Sequence, residues 1–283
     1  MNLVTIRSDS LAVTISTLGA EMQSIQTLQG EEKLWQGKPA FWTGRAPSLF
    51  PIAGGLINDQ YTFEGKKYTM PKHGYVRKLE WEIEKAAKDK AVFRMTQKTD
   101  GFPFDYQLRA CYALKNNKII ITYRVTNVGH ENFAFGMGAH EGYATPDGLE
   151  KYELVFDEAE ETLANYVLDG NLITHEPKIM GENTNRLPLR TEYFAVDALV
   201  FPYLRSRGVA LYHVDKGPVL RVDYPEHDVV MFWTKPGADY ICIEPWLNAP
   251  DFVDSTWTLD QKPGCVQLTP GQACERTHVV TIL

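Results

Sequence analysis

The stretch YQLRACYALKNNKIIITYRVTN, Tyr106–Asn127, alternates apolar and polar residues twice over, with a polar break at its middle. In its first half Tyr106, Leu108, Ala110, Tyr112 and Leu114 fall on one face, and Gln107 and Arg109 begin the other. In its second half Ile119, Ile121, Tyr123 and Val125 share a face that Thr122, Arg124 and Thr126 oppose. Successive side chains of a strand point to opposite sides, so this period of two marks strands with one buried face. Lys115–Asn116–Asn117 joins the halves, and asparagine tolerates the left-handed backbone of a tight reversal. The stretch predicts an antiparallel hairpin.

Working outward, similar runs recur at Leu11–Ser16, Glu80–Glu84, Ala91–Gln97, Val209–Tyr212, Val219–Val222, Val229–Trp233, Tyr240–Ile243 and Cys274–Leu283. Clusters of Gly, Pro, Asn and Asp punctuate them. No segment carries sustained helical periodicity with caps, and there is no tandem repeat, low-complexity stretch or linker-like shift in composition. The expectation is an all-β chain, residues 1–283 forming one domain of many antiparallel strands. Such a molecule hides its strand edges in two packed sheets or a closed barrel, and functional groups then converge on one concave face.

Composition narrows the partners. The 29 basic and 36 acidic residues give a net charge of -7 without any Lys/Arg run, which argues against a nucleic-acid backbone. Cys111, Cys242, Cys265 and Cys274 form no C-x-x-C pair and have no histidine at zinc spacing, so no metal site is expected from them. Cys111 and Cys242 fall in apolar runs and read as small buried hydrophobes of a reducing compartment. The start, Met1–Asp9, has no basic and apolar leader pattern, and no apolar run is long enough to span a bilayer; the expectation is a cytoplasmic protein with no membrane partner. Aromatic residues make up 12%, which suits strands and also suits a site with flat apolar faces.

Four stretches carry more polar and rigid residues than strands need. In Gly44–Gly55, Arg45 precedes a proline-fixed apolar run and reads either as a clamp on hydroxyl oxygens or as a surface ion pair. In Pro71–Arg77, His73 beside Gly74 reads as a structural hydrogen-bonder or as a catalytic group. Gly136–Tyr143 fails the G-x-G-x-x-G spacing, so no dinucleotide loop is expected. Its glycines are expected to let the backbone approach a ligand and to set His140 at a strand end. In Tyr240–Trp246, Glu244 closes an apolar run ahead of Pro245; it reads as a solvated edge carboxylate or as a buried base with raised proton affinity.

Taken together, Arg45 with Leu49–Phe50–Pro51, His73–Gly74–Tyr75 with Arg77, His140, and Ile243–Glu244–Pro245–Trp246 resemble the aldose 1-epimerase (galactose mutarotase-like) superfamily, in its LacX-like branch. Asp197–Phe201, Lys262–Gly264 and Leu268–Gly271 extend the resemblance nearly end to end. It implies a large antiparallel β-supersandwich and an isomerase that interconverts α and β anomers of a hexose. It implies no organic cofactor and no metal, a small sugar as partner, and a monomer or homodimer. On the matching positions it implies Glu244 as general base and His140 as general acid. His73, Arg45 and Asp197 fall to substrate binding, with Arg77 and Trp246 beside them. The superfamily's acid histidine usually precedes proline, whereas His140 precedes Glu141–Gly142–Tyr143. A carboxylate next in the chain is expected to stabilise the imidazolium and raise the proton affinity of His140. The alternatives are a hexose-6-phosphate 1-epimerase, with Arg77 a candidate phosphate ligand, and a non-catalytic carbohydrate-binding protein. A glycoside hydrolase using Asp197 and Glu244 is a weaker third.

Overall fold

A computed structural model describes residues 1–283. Twenty strands follow one another in the chain. The first ten are β1 (Leu3–Arg7), β2 (Leu11–Ser16), β3 (Met22–Thr27), β4 (Gln60–Phe63), β5 (Lys66–Thr69), β6 (Glu82–Ala86), β7 (Lys90–Met95), β8 (Tyr106–Lys115), β9 (Lys118–Asn127) and β10 (Phe133–Phe135). The second ten are β11 (Glu141–Ala144), β12 (Tyr152–Asp169), β13 (Leu172–Pro188), β14 (Leu199–Phe201), β15 (Gly208–His213), β16 (Gly217–Asp223), β17 (Val229–Trp233), β18 (Tyr240–Trp246), β19 (Val266–Leu268) and β20 (Ala273–Ile282). Only short 3-10 turns interrupt them, and no helix is long and apolar enough to cross a membrane.

The predicted hairpin is β8–β9. Its register closes at Lys115 opposite Lys118, and Asn116 takes the left-handed turn at φ 55°. The inward faces named above are buried along both strands. This hairpin sits within a nine-stranded sheet of order β13-β12-β15-β16-β20-β9-β8-β7-β6. A four-stranded sheet, β11-β18-β17-β14, lies against it, with a three-stranded sheet β1-β2-β3 and two ribbons, β4-β5 and β10-β19. The strand pairs are antiparallel throughout.

Alternation in the four-stranded sheet decides where chemistry can sit. Leu199, Phe201, Val230, Phe232, Ile241 and Ile243 join the main core with Leu108, Ile121 and Val125 of the large sheet. The opposite parity, Val200, Val229, Met231, Cys242 and Trp246, belongs to separate clusters on the far face. Glu244 shares that far parity, because side chains two residues apart lie on one face of a strand.

Three expectations need correction. The longest strands, β12 and β13, lie where no strand was expected. β13 is largely polar and exposed, and β12 keeps a period of two only over its first five residues before the register between the two strands slips, at three points in all, so the pattern is broken in the sequence. Pro177 and Gly181 lie within β13, which is tolerated because β13 is an edge strand. The expected strand at Glu80–Glu84 begins two residues later, and β6 is exposed along its whole length as the opposite edge. Cys111 is only half-buried on the outer face of β8, whereas Cys242 is buried as expected; all four thiols are free.

Candidate active site

On the far face of the four-stranded sheet a cavity of about 280 Å³ is lined by His73, His140, Glu244, Trp246, Asp197, Lys72 and Arg77, with Trp42, Trp233, Met231 and Asn171 among its other walls. The backbone explains why His140 and Glu244 meet. β11 pairs with β18 so that Glu141 lies opposite Ile243. One more step of that register places His140 across from Glu244, and Ala139 N–H donates to Pro245 C=O at 3.0 Å. The two side chains come together with Nε2 and Oε2 3.4 Å apart.

Both groups are buried, and burial disfavours charge on each. It pushes the Glu244 carboxyl well above the usual range; Lys72 opposes this, while Asp197 and Glu141 add to it. It lowers the His140 imidazole to about 3, with Arg77 and Lys72 pressing the same way. His140 is enclosed by the Trp42 ring at 5.1 Å, the Trp233 ring edge-on at 5.7 Å and the His73 ring edge-on at 5.7 Å. Its Nδ1 has no partner. The expected support from Glu141 is absent because the alternation of β11, carried one residue back to His140, turns the two neighbours to opposite sides. Glu141 points into the core, where Oε1 pairs with His278 Nε2 at 3.0 Å. The Glu141 side chain is therefore turned away from His140.

His73 is clamped by one residue. Its N–H donates to Gly54 C=O at 3.0 Å, and its Nδ1 accepts from Gly54 N–H at 3.1 Å. With Nδ1 accepting, the neutral ring carries its proton on Nε2. Burial lowers the His73 proton affinity, reinforced by His140, so the ring stays neutral. The backbone there is left-handed at φ 68°, followed by Gly74 at φ 65°, where a Cβ would lie 2.0 Å from Phe50 O. Only glycine fits, and the loop cannot back away from the cavity.

Trp246 donates through Nε1 to Ala139 C=O at 3.0 Å and packs edge-on against His73 at 5.3 Å. Its ring explains one of the glycines before His140. A Cβ on Gly138 would come 2.3 Å from Trp246 Cδ1, and one on Gly136 would lie 1.8 Å from Asn248 Oδ1. These glycines make room for the protein's own side chains, not for a ligand.

The charged rim differs from expectation at one residue. Lys72 Nζ lies 3.5 Å from Asp197 Oδ2, and Asp197 Oδ1 accepts from Ala198 N–H at 2.8 Å. Arg77 donates through one Nη to Lys72 C=O at 3.1 Å, and its Nε is buried without a partner. Arg45 does not line the cavity. Glu21 Oε1 captures the N–H groups of Arg45 and Ala46 at 2.7 and 2.9 Å, which turns the guanidinium onto Gln23 O and Oε1, each at 2.9 Å. Arg77 is the arginine that reaches the site. The sequence reading missed Trp42, Lys72, Trp233, Met231 and Asn171. Lys72, as the neighbour of His73, was the one with a local signal; Asn171 arrives from the tip of the β12–β13 hairpin, which had none.

The donor atoms of His140, Cys242 and Glu244 all lie within 4.8 Å of one another, the geometry of a possible cation site. Burial pushes the Cys242 thiol and the Glu244 carboxyl up, against the deprotonated forms that a cation requires.

A family model for aldose 1-epimerase matches residues 2–281. Protein LacX of Lactococcus lactis subsp. lactis is 29% identical over 296 residues, with 99% of each chain covered. A galactose mutarotase related enzyme from Lactobacillus acidophilus superimposes with a TM-score of 0.92 at 29% identity, covering 100% of this chain and 97% of that one. A galactose mutarotase-like protein from Lactobacillus casei gives 0.93 at 23% identity with both chains fully covered, which bears on the fold alone. The expected β-supersandwich of the galactose mutarotase type is the fold observed.

Proposed function

The chain belongs to the aldose 1-epimerase family, and on that premise we propose that it opens and recloses the ring of a hexose, with Glu244 as base and His140 as acid. The observation that carries the reading is the 3.4 Å approach of these two buried groups at the wall of a cavity of sugar size.

The burial of the pair bears on how the cycle runs. Two neutral groups share one exchangeable proton, carried on Glu244 in the empty cavity. Moving it to His140 creates carboxylate and imidazolium together, with no change in net charge. With a closed sugar bound, Glu244 takes the proton of the anomeric hydroxyl as His140 protonates the ring oxygen. The bond between C1 and the ring oxygen breaks and an aldehyde forms. Both side chains are then neutral, the state that burial favours. Rotation about C1–C2 presents the other carbonyl face. His140 removes the proton from the hydroxyl, Glu244 returns one to the carbonyl oxygen, and the opposite anomer closes. Well-placed proton transfers contribute about 10²–10⁴-fold each. On this reading His73 Nε2–H, Arg77 and the Lys72–Asp197 pair hold hydroxyl oxygens as charge moves between them.

Anomer exchange followed by NMR, with galactose and glucose, tests this. Acceleration of about 10⁴-fold or more over the uncatalysed rate is expected. Sugar binding without acceleration would leave a carbohydrate-binding protein and sink the catalytic reading. A second reading, with a hexose 6-phosphate as substrate, draws on the unpartnered Nε of Arg77 and the nearby Lys72. Asp197 already offsets the charge of Lys72. Free hexose is therefore expected to outcompete glucose 6-phosphate, and the reverse order would transfer the proposal to the phosphorylated sugar.

A further inference from the structure

β18 carries two groups with metal affinity on one face. Cys242 and Glu244 are two residues apart on that strand, and Cys242 belongs to a cluster on the far side of the four-stranded sheet. β11 brings the third group. Gly142 pairs with Cys242, and the same register carried back places His140 across from Glu244. A sulfur, an imidazole nitrogen and a carboxylate oxygen thus converge within 4.8 Å of one another, and all three residues are buried. We propose that these atoms form a site for a borderline-soft divalent cation, zinc above all, and that the bound ion shuts off the His140–Glu244 pair. The shut-off rests on the reading of that pair as acid and base; the binding does not.

The distances suit the ion. Zinc bonds of about 2.0 Å to nitrogen, 2.1 Å to oxygen and 2.3 Å to sulfur, at tetrahedral angles, put ligand atoms about 3.4–3.6 Å apart. His140 Nε2 and Glu244 Oε2 already stand 3.4 Å apart. The Cys242 sulfur then has to approach by on the order of 1 Å, a small turn about its χ1 bond. His140 and Glu244 line the cavity while Cys242 lies behind them, so the ion enters from the cavity and keeps a fourth position open toward it. Charge suits the ion as well. A thiolate and a carboxylate neutralise a dication, so no net charge is buried there. Binding releases two protons to solvent, one from the thiol and one from the carboxyl, because burial keeps both groups protonated otherwise. A metal-bound histidine is usually braced through its other nitrogen, and His140 Nδ1 has no partner. Both features make the ion exchangeable, an inhibitor and not a resident cofactor. Magnesium and calcium take oxygen ligands and are disfavoured by the sulfur and the imidazole. Once bound, zinc occupies the nitrogen of His140 and the oxygen of Glu244 through which protons would move.

Cobalt(II) and zinc are the probes. The full chain, stripped with a chelator, should take up Co²⁺ with the near-ultraviolet charge-transfer band of a cobalt–thiolate bond, and zinc should erase that band. Cys242→Ala should lose it, whereas Cys111→Ala should keep it, although Cys111 is the more exposed thiol. Zinc affinity by calorimetry should fall at least about tenfold in Cys242→Ala and in Glu244→Gln, since even outer-shell partners are worth about 10–100-fold. In galactose anomer exchange, micromolar zinc should suppress the wild-type rate at least about tenfold and a chelator should restore it, while magnesium or calcium at the same concentration leaves it within about twofold. Cys242→Ala without zinc should exchange within about twofold of wild type and should resist zinc. A cobalt complex without the thiolate band overturns the site, as does zinc inhibition that survives Cys242→Ala. A band with undiminished exchange keeps the site and overturns the shut-off. Should Cys242→Ala fail to fold, the wild-type band and the zinc affinity of Glu244→Gln decide. If no sugar exchanges faster with the wild type, the aldose reading fails and the shut-off with it, while the cobalt band still decides the binding.

Discussion

His140 and Glu141 are neighbours in the chain, and each meets a buried partner of the opposite kind, yet the two pairs have different fates. His140 faces Glu244 at 3.4 Å beside a cavity. Glu141 faces His278 at 3.0 Å between the sheets, with both side chains essentially unexposed. The same two residue types form both pairs, so the side chains alone do not make a site. What differs is access. The alternation of one strand sends the first pair toward a hollow and the second into packing, where it ties the small sheet to β20 of the large one.

The sharpest way to break this division is to remove the carboxyl proposed as the base. Glu244→Gln should lower the rate of anomer exchange by about 10³–10⁴-fold while leaving the far-ultraviolet circular dichroism unchanged, and His140→Asn by about 10²–10⁴-fold. A Glu244→Gln protein with wild-type exchange would remove Glu244 from the chemistry. Next in size is the sealed pair. Breaking a buried pair from one side costs about 3–5 kcal/mol, so Glu141→Ala should shift the urea midpoint strongly down. The molecules that remain folded should exchange anomers within about tenfold of wild type. A stable Glu141→Ala protein as inactive as Glu244→Gln would erase the contrast between the pairs.

A smaller effect separates them by pH. The folded-state proton affinity of Glu244 is raised, so the folded protein keeps a proton that the unfolded chain has released. Stability is then lost as pH rises from the unfolded value near 4.5 toward the raised one. His140, at about 3 against 6.5 unfolded, acts in the opposite sense: stability is lost as pH falls from 6.5 toward 3. Each contributes at most ~1.4 kcal/mol per pH unit. In thermal melts, Glu244→Gln should gain on the wild type as pH rises from about 5 to about 8, and His140→Asn should gain as pH falls over the same range. Parallel curves would mean that neither group is held neutral. The smallest effect distinguishes the two arginines. Arg77→Ala should raise KM for the sugar about tenfold, whereas Arg45→Ala should change it less than about twofold; the reverse would return Arg45 to the site.

Much of this was legible in the sequence, for stated reasons. The β8–β9 hairpin could be read because each strand has one wet and one dry face, and Asn116 marks the reversal. The β12–β13 hairpin could not, because β13 meets water over most of its length, the register slips along it, and an edge strand tolerates Pro177. Glu244 and His140 stood out through the stretches around them, and the cavity brings them together. Arg45 was misplaced because a carboxylate 24 residues earlier holds its backbone, a long-range contact without a local sign. The orientation of Glu141 follows from strand parity, but β11 is four residues long and shows no period.

The walls of the first cavity come from widely separated parts of the chain, Trp42 at one extreme and Pro250 at the other, and this sets a timetable for synthesis. At about 5–20 residues per second, the ribosome delivers Pro250 roughly 10–40 s after Trp42. β20, which joins β9 to β16, follows later still. Until then the nine-stranded sheet is two separate pieces with open edges, and His278 has not arrived to cover Glu141. A nascent chain thus carries an uncompensated acid and unpaired strands for many seconds, the period in which a chaperone would have most to protect.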